Sequence, residues 1–219
     1  MKIDIISDIN KEHYYSLHYP EVDRFLVKIL WAHFALISLY ALWVYFFQPA
    51  QTYPSPLSWG LISFQATAWV VVLGFLAALV PWMLRGKLQN HYYYRLLVTN
   101  CLFAFSYLIV FDTGGSIEAH FHFFIVLALL AIYYDWRLGW LAVLVVGAHH
   151  GILNFVAPHW VYYYGQNNLA VLSHALPVAI AALYLTWITE NGRRSVETLD
   201  KDNKELEVKL RQRIPGLNT

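Results

Sequence analysis

Five histidines set in apolar sequence are the side chains best suited to chemistry in this 219-residue chain: His120 and His122, His149 and His150, and His174. Polar groups are costly in hydrocarbon, so an ionisable residue inside a membrane span points to a function. Neutral imidazole is the commonest ligand for zinc, copper and iron, and its affinity for such a centre offsets the cost of burying it. The stretch from Asp112 to Pro158 reads as two apolar spans joined by the polar turn Asp135-Trp136-Arg137. His122 lies thirteen residues before Asp135 and His149 fourteen after it. In an antiparallel helical hairpin rising about 1.5 Å per residue, they sit at nearly one depth, roughly 20 Å from the turn. Four imidazoles therefore share a layer, and His174 joins it from the following span.

Helix geometry limits how these rings can be used. His120 and His122 point about 200° apart and His149 and His150 about 100° apart, so all five cannot converge on one ion. Two arrangements remain. One member of each pair plus His174 makes a three-nitrogen site for copper or zinc, with the others supporting it. Alternatively, two histidines on different helices clamp the iron of a haem b from both sides, and the rest hold a second haem, a propionate or another metal. Asp112 and Glu118 stand at the outer mouth of the layer, where a carboxylate orients an imidazole or attracts a cation. Gly147 and Gly151 bracket the His149-His150 pair at a spacing that allows close helix packing or leaves room for a flat macrocycle. Pro177, three residues after His174, removes a helix hydrogen bond and is placed to kink its span. His13, His18, His33, His91 and His159 receive no role, and His33 is placed in the first span nearer the cytoplasm.

The elements that must position these residues are legible in the composition. The chain is 58% hydrophobic and 13% charged, whereas soluble domains carry about 25% charged residues. An all-α membrane protein follows, with six transmembrane helices expected at 25–47, 59–84, 94–111, 117–134, 138–156 and 169–188. Lys and Arg fall in alternate connections, at Arg85, Lys87 and Arg95, at Arg137, and at Arg193 and Arg194; the opposite connections have none. By the positive-inside rule both termini are cytoplasmic and the histidine layer lies in the outer half of the bilayer. The expected organisation is a polar cytoplasmic segment 1–24, a six-helix membrane domain 25–189, a cytoplasmic helix 190–213 and a tail 214–219. The first segment lacks the basic-then-apolar layout of a cleaved signal and is expected to be retained.

A net charge of +1 argues against nucleic acid as a partner. A lone cysteine, Cys101, excludes an internal disulfide and a cysteine-based metal site. The aromatic runs Tyr92-Tyr93-Tyr94 and Trp160 to Tyr164 read as anchors at the membrane interface. Beyond Glu190, Val196, Leu199, Asn203, Leu206 and Leu210 follow three-four spacing. Asn203 takes an a position of that heptad, which fixes register in a parallel two-stranded coiled coil, so a homodimer is expected. Pro215-Gly216 ends the helix.

The pattern Gly115, Ile117, Glu118, His120, Phe121, His122, Phe123, Phe124, then Tyr133, Asp135, Trp136, then His149 and His150 resembles the membrane-embedded N-terminal sensor region of a group of bacterial chemoreceptors, diguanylate cyclases and sensor histidine kinases. The resemblance implies a sensory input module in the bacterial cytoplasmic membrane that feeds a cytoplasmic output domain. It is expected to be a sensor and not an enzyme, either excised from a receptor or acting as a separate subunit. Joined to the histidine layer, it suggests sensing of a redox, gas or metal signal through a metal or haem centre. The alternatives are a membrane-bound di-metal oxidoreductase and a metal-free proton or quinone sensor.

Overall fold

The computed structural model describes residues 4–47, 64–88 and 91–213, with side chains for 19–47, 67–88, 91–210 and 212–213. The first connection at 48–58, the expected start of the second span at 59, the side chains of His13 and His18, and the stop at Pro215-Gly216 lie outside the described residues. The described chain is helical, without a strand. Helix α1 runs Asp4–Phe47, α2 Phe64–Leu88, α3 Tyr92–Asp112, α4 Ile117–His120, α5 His122–Leu130, α6 Trp136–Val156 and α7 Asn168–Arg213. Short 3₁₀ turns, Ala131–Tyr133 and Pro158–Trp160, follow α5 and α6.

Five of these helices are long and apolar enough to cross a membrane: Tyr19–Phe47, Thr67–Leu88, Tyr92–Asp112, Trp136–Val156 and Asn168–Leu210. The stretch expected as a fourth span is also apolar and helical, but Ile117–Tyr133 is shorter than the others. It reaches about 25 Å at helical rise, against a hydrocarbon thickness of about 30 Å. Its hydrogen bonding also tightens at Phe121, whose N–H donates to the carbonyl of Glu118. Two expected boundaries have no counterpart in the backbone. The polar residues before position 24 continue into the first span as one 44-residue helix. The segment after Glu190 continues the last span within the 46 residues of α7.

Helix α3 is the hub. Of its most apolar window 56% is buried, against 22% to 33% for the other four long helices, which present most of their surface outward. Its buried Val98, Leu102, Phe103, Phe105 and Val110 meet Leu26 and Leu30 of α1 and Val126 and Leu130 of α5 in one core. Helices α1 and α2 pack against each other and on α3, and α6 and α7 pack against each other and on α5.

At the end of α3 the chain turns through Gly114 and Gly115, with φ of 66° and 75°. A Cβ on Gly115 would lie 2.6 Å from the carbonyl oxygen of Val161. Glycine is thus required twice there, for its left-handed backbone and for close approach. The contact seats the segment after α6 against the start of α4, and so brings Tyr162 over the histidines.

At the other end of the bundle, Asp135 caps α6 by accepting from the backbone N–H of Arg137 and receives the Arg137 guanidinium through two bonds of 2.8 Å. The buried guanidinium of Arg95 approaches the same carboxylate at 3.4 Å and lies 4.1 Å from the ring centre of Tyr19. Tyr133 donates to Asp23 of α1 at 2.7 Å. Tyr134, with φ of 51°, lays its ring on Gly192 of α7 so closely that a Cβ there would be 2.5 Å from it.

Candidate metal centre

Helix α4 is a single turn, and its capping explains where His120 points. Ser116 accepts the N–H of Ala119 through its hydroxyl, while its carbonyl accepts Nδ1–H of His120 at 2.7 Å. The same arrangement recurs twice. Nδ1–H of His150 donates to the carbonyl of Val146 at 2.9 Å, and Nδ1–H of His174 to that of Ala170 at 2.7 Å. A carbonyl can only accept, so each ring carries its proton on Nδ1 and keeps a lone pair on Nε2. Metal-bound histidines are held in just this way, by a bond from the other ring nitrogen that fixes tautomer and orientation.

The three rings come from three helices and face one another. Their centroids are 5.4 Å apart for His120 and His150, 4.7 Å for His120 and His174, and 5.2 Å for His150 and His174. One ring nitrogen from each lies within 4.8 Å of the others. Nε2 of His120 and of His150 is buried without a hydrogen-bond partner. Zinc bound at about 2.0–2.1 Å sets its ligand nitrogens about 3.4 Å apart, so modest closure of the rings would complete a three-nitrogen site with an open position. Tyr162 roofs the set, its ring centre 5.4 Å from that of His174 and 5.9 Å from that of His150. Burial pushes its phenol well above the ordinary tyrosine value, so it stays neutral. Phe123 closes the set from below, 5.7 Å from His150.

The remaining members of the two pairs point elsewhere. His122, two residues beyond His120, faces α1 and α3, where its Nε2 is 2.8 Å from Nε2 of His33 and its Nδ1 is 2.8 Å from the hydroxyl of Ser106. His33, placed by sequence nearer the cytoplasm and given no role, thus meets the histidine layer. His149 stacks on Tyr107 at 4.1 Å with an interplanar angle of 17°, and its Nε2 is buried without a partner. Of the mouth carboxylates, Asp112 is buried with one oxygen unpartnered, whereas Glu118 is exposed. A Cβ at Gly147 or Gly151 would meet nothing within 4 Å, so neither glycine marks a close helix approach.

Neither aromatic run is a simple membrane belt. Tyr93, Trp160, Tyr163 and Tyr164 are exposed, but Tyr94 is fully buried and donates to the carbonyl of Pro81, and Tyr162 is buried over the imidazoles. A helix or turn passing along a boundary must show one of its aromatic faces inward, and these two residues occupy it.

A cavity of about 240 Å³ borders the three imidazoles. The triad centroids are 4.7–5.4 Å apart, and 2.8 Å separates the facing nitrogens of His33 and His122.

No family model and no solved structure matches the chain. Over 66 residues, 30% of its length, it is 38% identical to a stretch of the transducer protein Htr8 of Halobacterium salinarum. That stretch is 10% of Htr8, so the chain spans only a small part of this relative. The apolar helices and this likeness support a membrane protein with a signalling role.

Proposed function

We propose that the chain is the sensory input module of a membrane signalling receptor, and that His120, His150 and His174 hold a transition-metal ion, copper, iron or zinc, whose ligation is the signal. The observation that carries this reading is the matched state of the three rings, each with Nδ1 committed to a backbone carbonyl four residues back and with one nitrogen within 4.8 Å of the others. In this apolar layer the lone pairs on Nε2 of His120 and His150 go unsatisfied, and a cation among the three rings would turn that cost into ligation. The spacing supports an ion better than a haem. A di-metal oxidoreductase is disfavoured by the donor set itself, since no carboxylate among the described residues joins the three imidazoles.

The route outward is α7. It carries His174 near its start and Gly192 eighteen residues later, about 27 Å along the axis. The segment from α4 to the turn after α5 meets α7 at both levels, through His120 and His174 and again where Tyr134 lies on Gly192. A change in ligation that draws His174 toward or away from His120 biases the tilt of α7 between these two points. With both termini cytoplasmic and a homodimer formed along Leu199, Asn203, Leu206 and Leu210, the exposed heptad stripe of α7 passes that tilt to an output domain.

The test is elemental analysis with an absorption spectrum on the membrane-extracted protein. A stoichiometric transition metal without a Soret band is expected. Finding neither metal nor Soret absorption removes the proposal, and a Soret band alone replaces the ion with haem.

A further inference from the structure

The cavity beside the imidazoles is apolar along its walls and polar at one end. Phe121, Phe123, Phe124, Val146 and Val178 form the walls. Its mouth lies at the outer surface of the helices, since Ile117 and Phe121, which line it, are 52% and 62% exposed. The polar end is made of acceptors. With each Nδ1 spent on the backbone, Nε2 of His120 and His150 offers a buried lone pair that no group satisfies. Pro177, also on the wall, has no N–H, so the carbonyl of Ser173 four residues earlier loses its helical donor. An occupant therefore needs an apolar body and an oxygen that either donates a proton or ligates an ion. Size narrows it further: an apolar cavity of about 150 Å³ accepts benzene, so 240 Å³ holds one substituted ring.

We infer that this cavity binds a single-ring aromatic alcohol drawn from the bilayer, the chemistry of a phenol or a hydroquinone head, with its ring among Phe121, Phe123 and Phe124 and its hydroxyl at the imidazole end. The inference deepens the ion reading and rests on it for one detail: the hydroxyl oxygen takes the open position of a bound ion. Without an ion, the O–H donates to a free Nε2.

The experiment uses the full chain in lipid nanodiscs, with 4-fluorophenol and its hydroxyl-free analogue 4-fluorotoluene as fluorine NMR probes and copper, iron and zinc content measured on the same samples. 4-Fluorophenol is expected to bind about tenfold more tightly than 4-fluorotoluene, the worth of one buried hydrogen bond. Val178→Phe, at a wall position that supplies no metal ligand, is expected to weaken phenol binding by about tenfold or more while metal content stays unchanged. Phe124→Trp repeats the test from α5 if the first variant does not fold. Equal binding of the two probes, absence of phenol binding, or unaltered binding in a folded cavity-filling variant overturns the inference and leaves the ion reading standing. Phenol binding with no copper, iron or zinc bound does the reverse.

Discussion

Nε2 of His33 on α1 lies 2.8 Å from Nε2 of His122 on α5, two histidines 89 residues apart in sequence that share one hydrogen bond. The direction of that bond follows from its neighbours. His33 spends its Nδ1–H on the carbonyl of Ile29, so its Nε2 accepts in the neutral ring; His122 must donate from Nε2 and accept from the Ser106 hydroxyl at Nδ1. The chain Ser106, His122, His33, Ile29 is satisfied at every link, unlike His120 and His150, whose Nε2 has no partner.

Replacing His33 by Leu strands the His122 donor in an apolar layer. The expected loss is about 1–3 kcal/mol of stability, read as a lower melting temperature in detergent. His122→Leu should cost a similar amount, and the double variant little more than either, because the two share one interaction. Additive losses would dissolve the pairing.

Under the proposed ligation the histidines divide into two sets. His120→Ala, His150→Ala and His174→Ala should each abolish retention of the bound ion, while His122→Ala and His149→Ala keep it; metal analysis after purification decides. Chelation should lower the melting temperature of the parent protein, His122→Ala and His149→Ala, but not of the three variants that lose the ion. An ion at a hundred times its dissociation constant stabilises the folded state by about 2.7 kcal/mol.

Gly115→Ala combines a φ of +75° with a Cβ 2.6 Å from the Val161 carbonyl oxygen. Backbone strain alone costs about 1–3 kcal/mol, and thermal unfolding should register at least that. Gly147→Ala, with open space around its Cβ, should leave stability unchanged or slightly raise it.

Gly192→Ala drives a methyl into the Tyr134 ring. It should destabilise the protein, and Tyr134→Ala should restore the loss in the double variant, since the clash needs both side chains. A double variant no more stable than Gly192→Ala would place the strain elsewhere.

Single cysteines on α7 test the proposed homodimer, once Cys101→Ser has removed the native thiol. Leu199→Cys, Leu206→Cys and Leu210→Cys should form disulfide-linked dimers in oxidised membranes, and Lys201→Cys and Lys204→Cys, off the stripe, should not. Equal crosslinking around the helix would leave α7 without a defined partner face.

Much of this was readable in the chain. Long apolar runs mark the helices, because a span must satisfy its own backbone and so must be helical and long. Counting outward from Asp135 brings His122 and His149 to one level, and the opposed directions of His120 and His122 follow from 3.6 residues per turn. What stayed hidden depends on partners far away in sequence. His33 is a lone imidazole in an apolar run, a signal in itself, but its partner on α5 is visible only once α1 and α3 are docked. Tyr94 and Tyr162 sit in runs of aromatics whose composition says interface while their helical phase says interior. The shortness of Ile117–Tyr133 escaped hydropathy, which registers apolar residues and not where hydrogen bonding tightens, as it does at Phe121.

The unbroken course of α7 makes it a mechanical amplifier. From Pro177, the one proline within it, to its last described turn at Arg213 there are 36 residues, or about 54 Å of rigid rod. A swing of about 5° at the proline, less than the width of an atom beside the imidazoles, becomes nearly 5 Å at the far tip by that length. Under the proposed ligation, a small rearrangement beside His174 would therefore be felt as a sideways displacement at the far end of α7 without any unfolding.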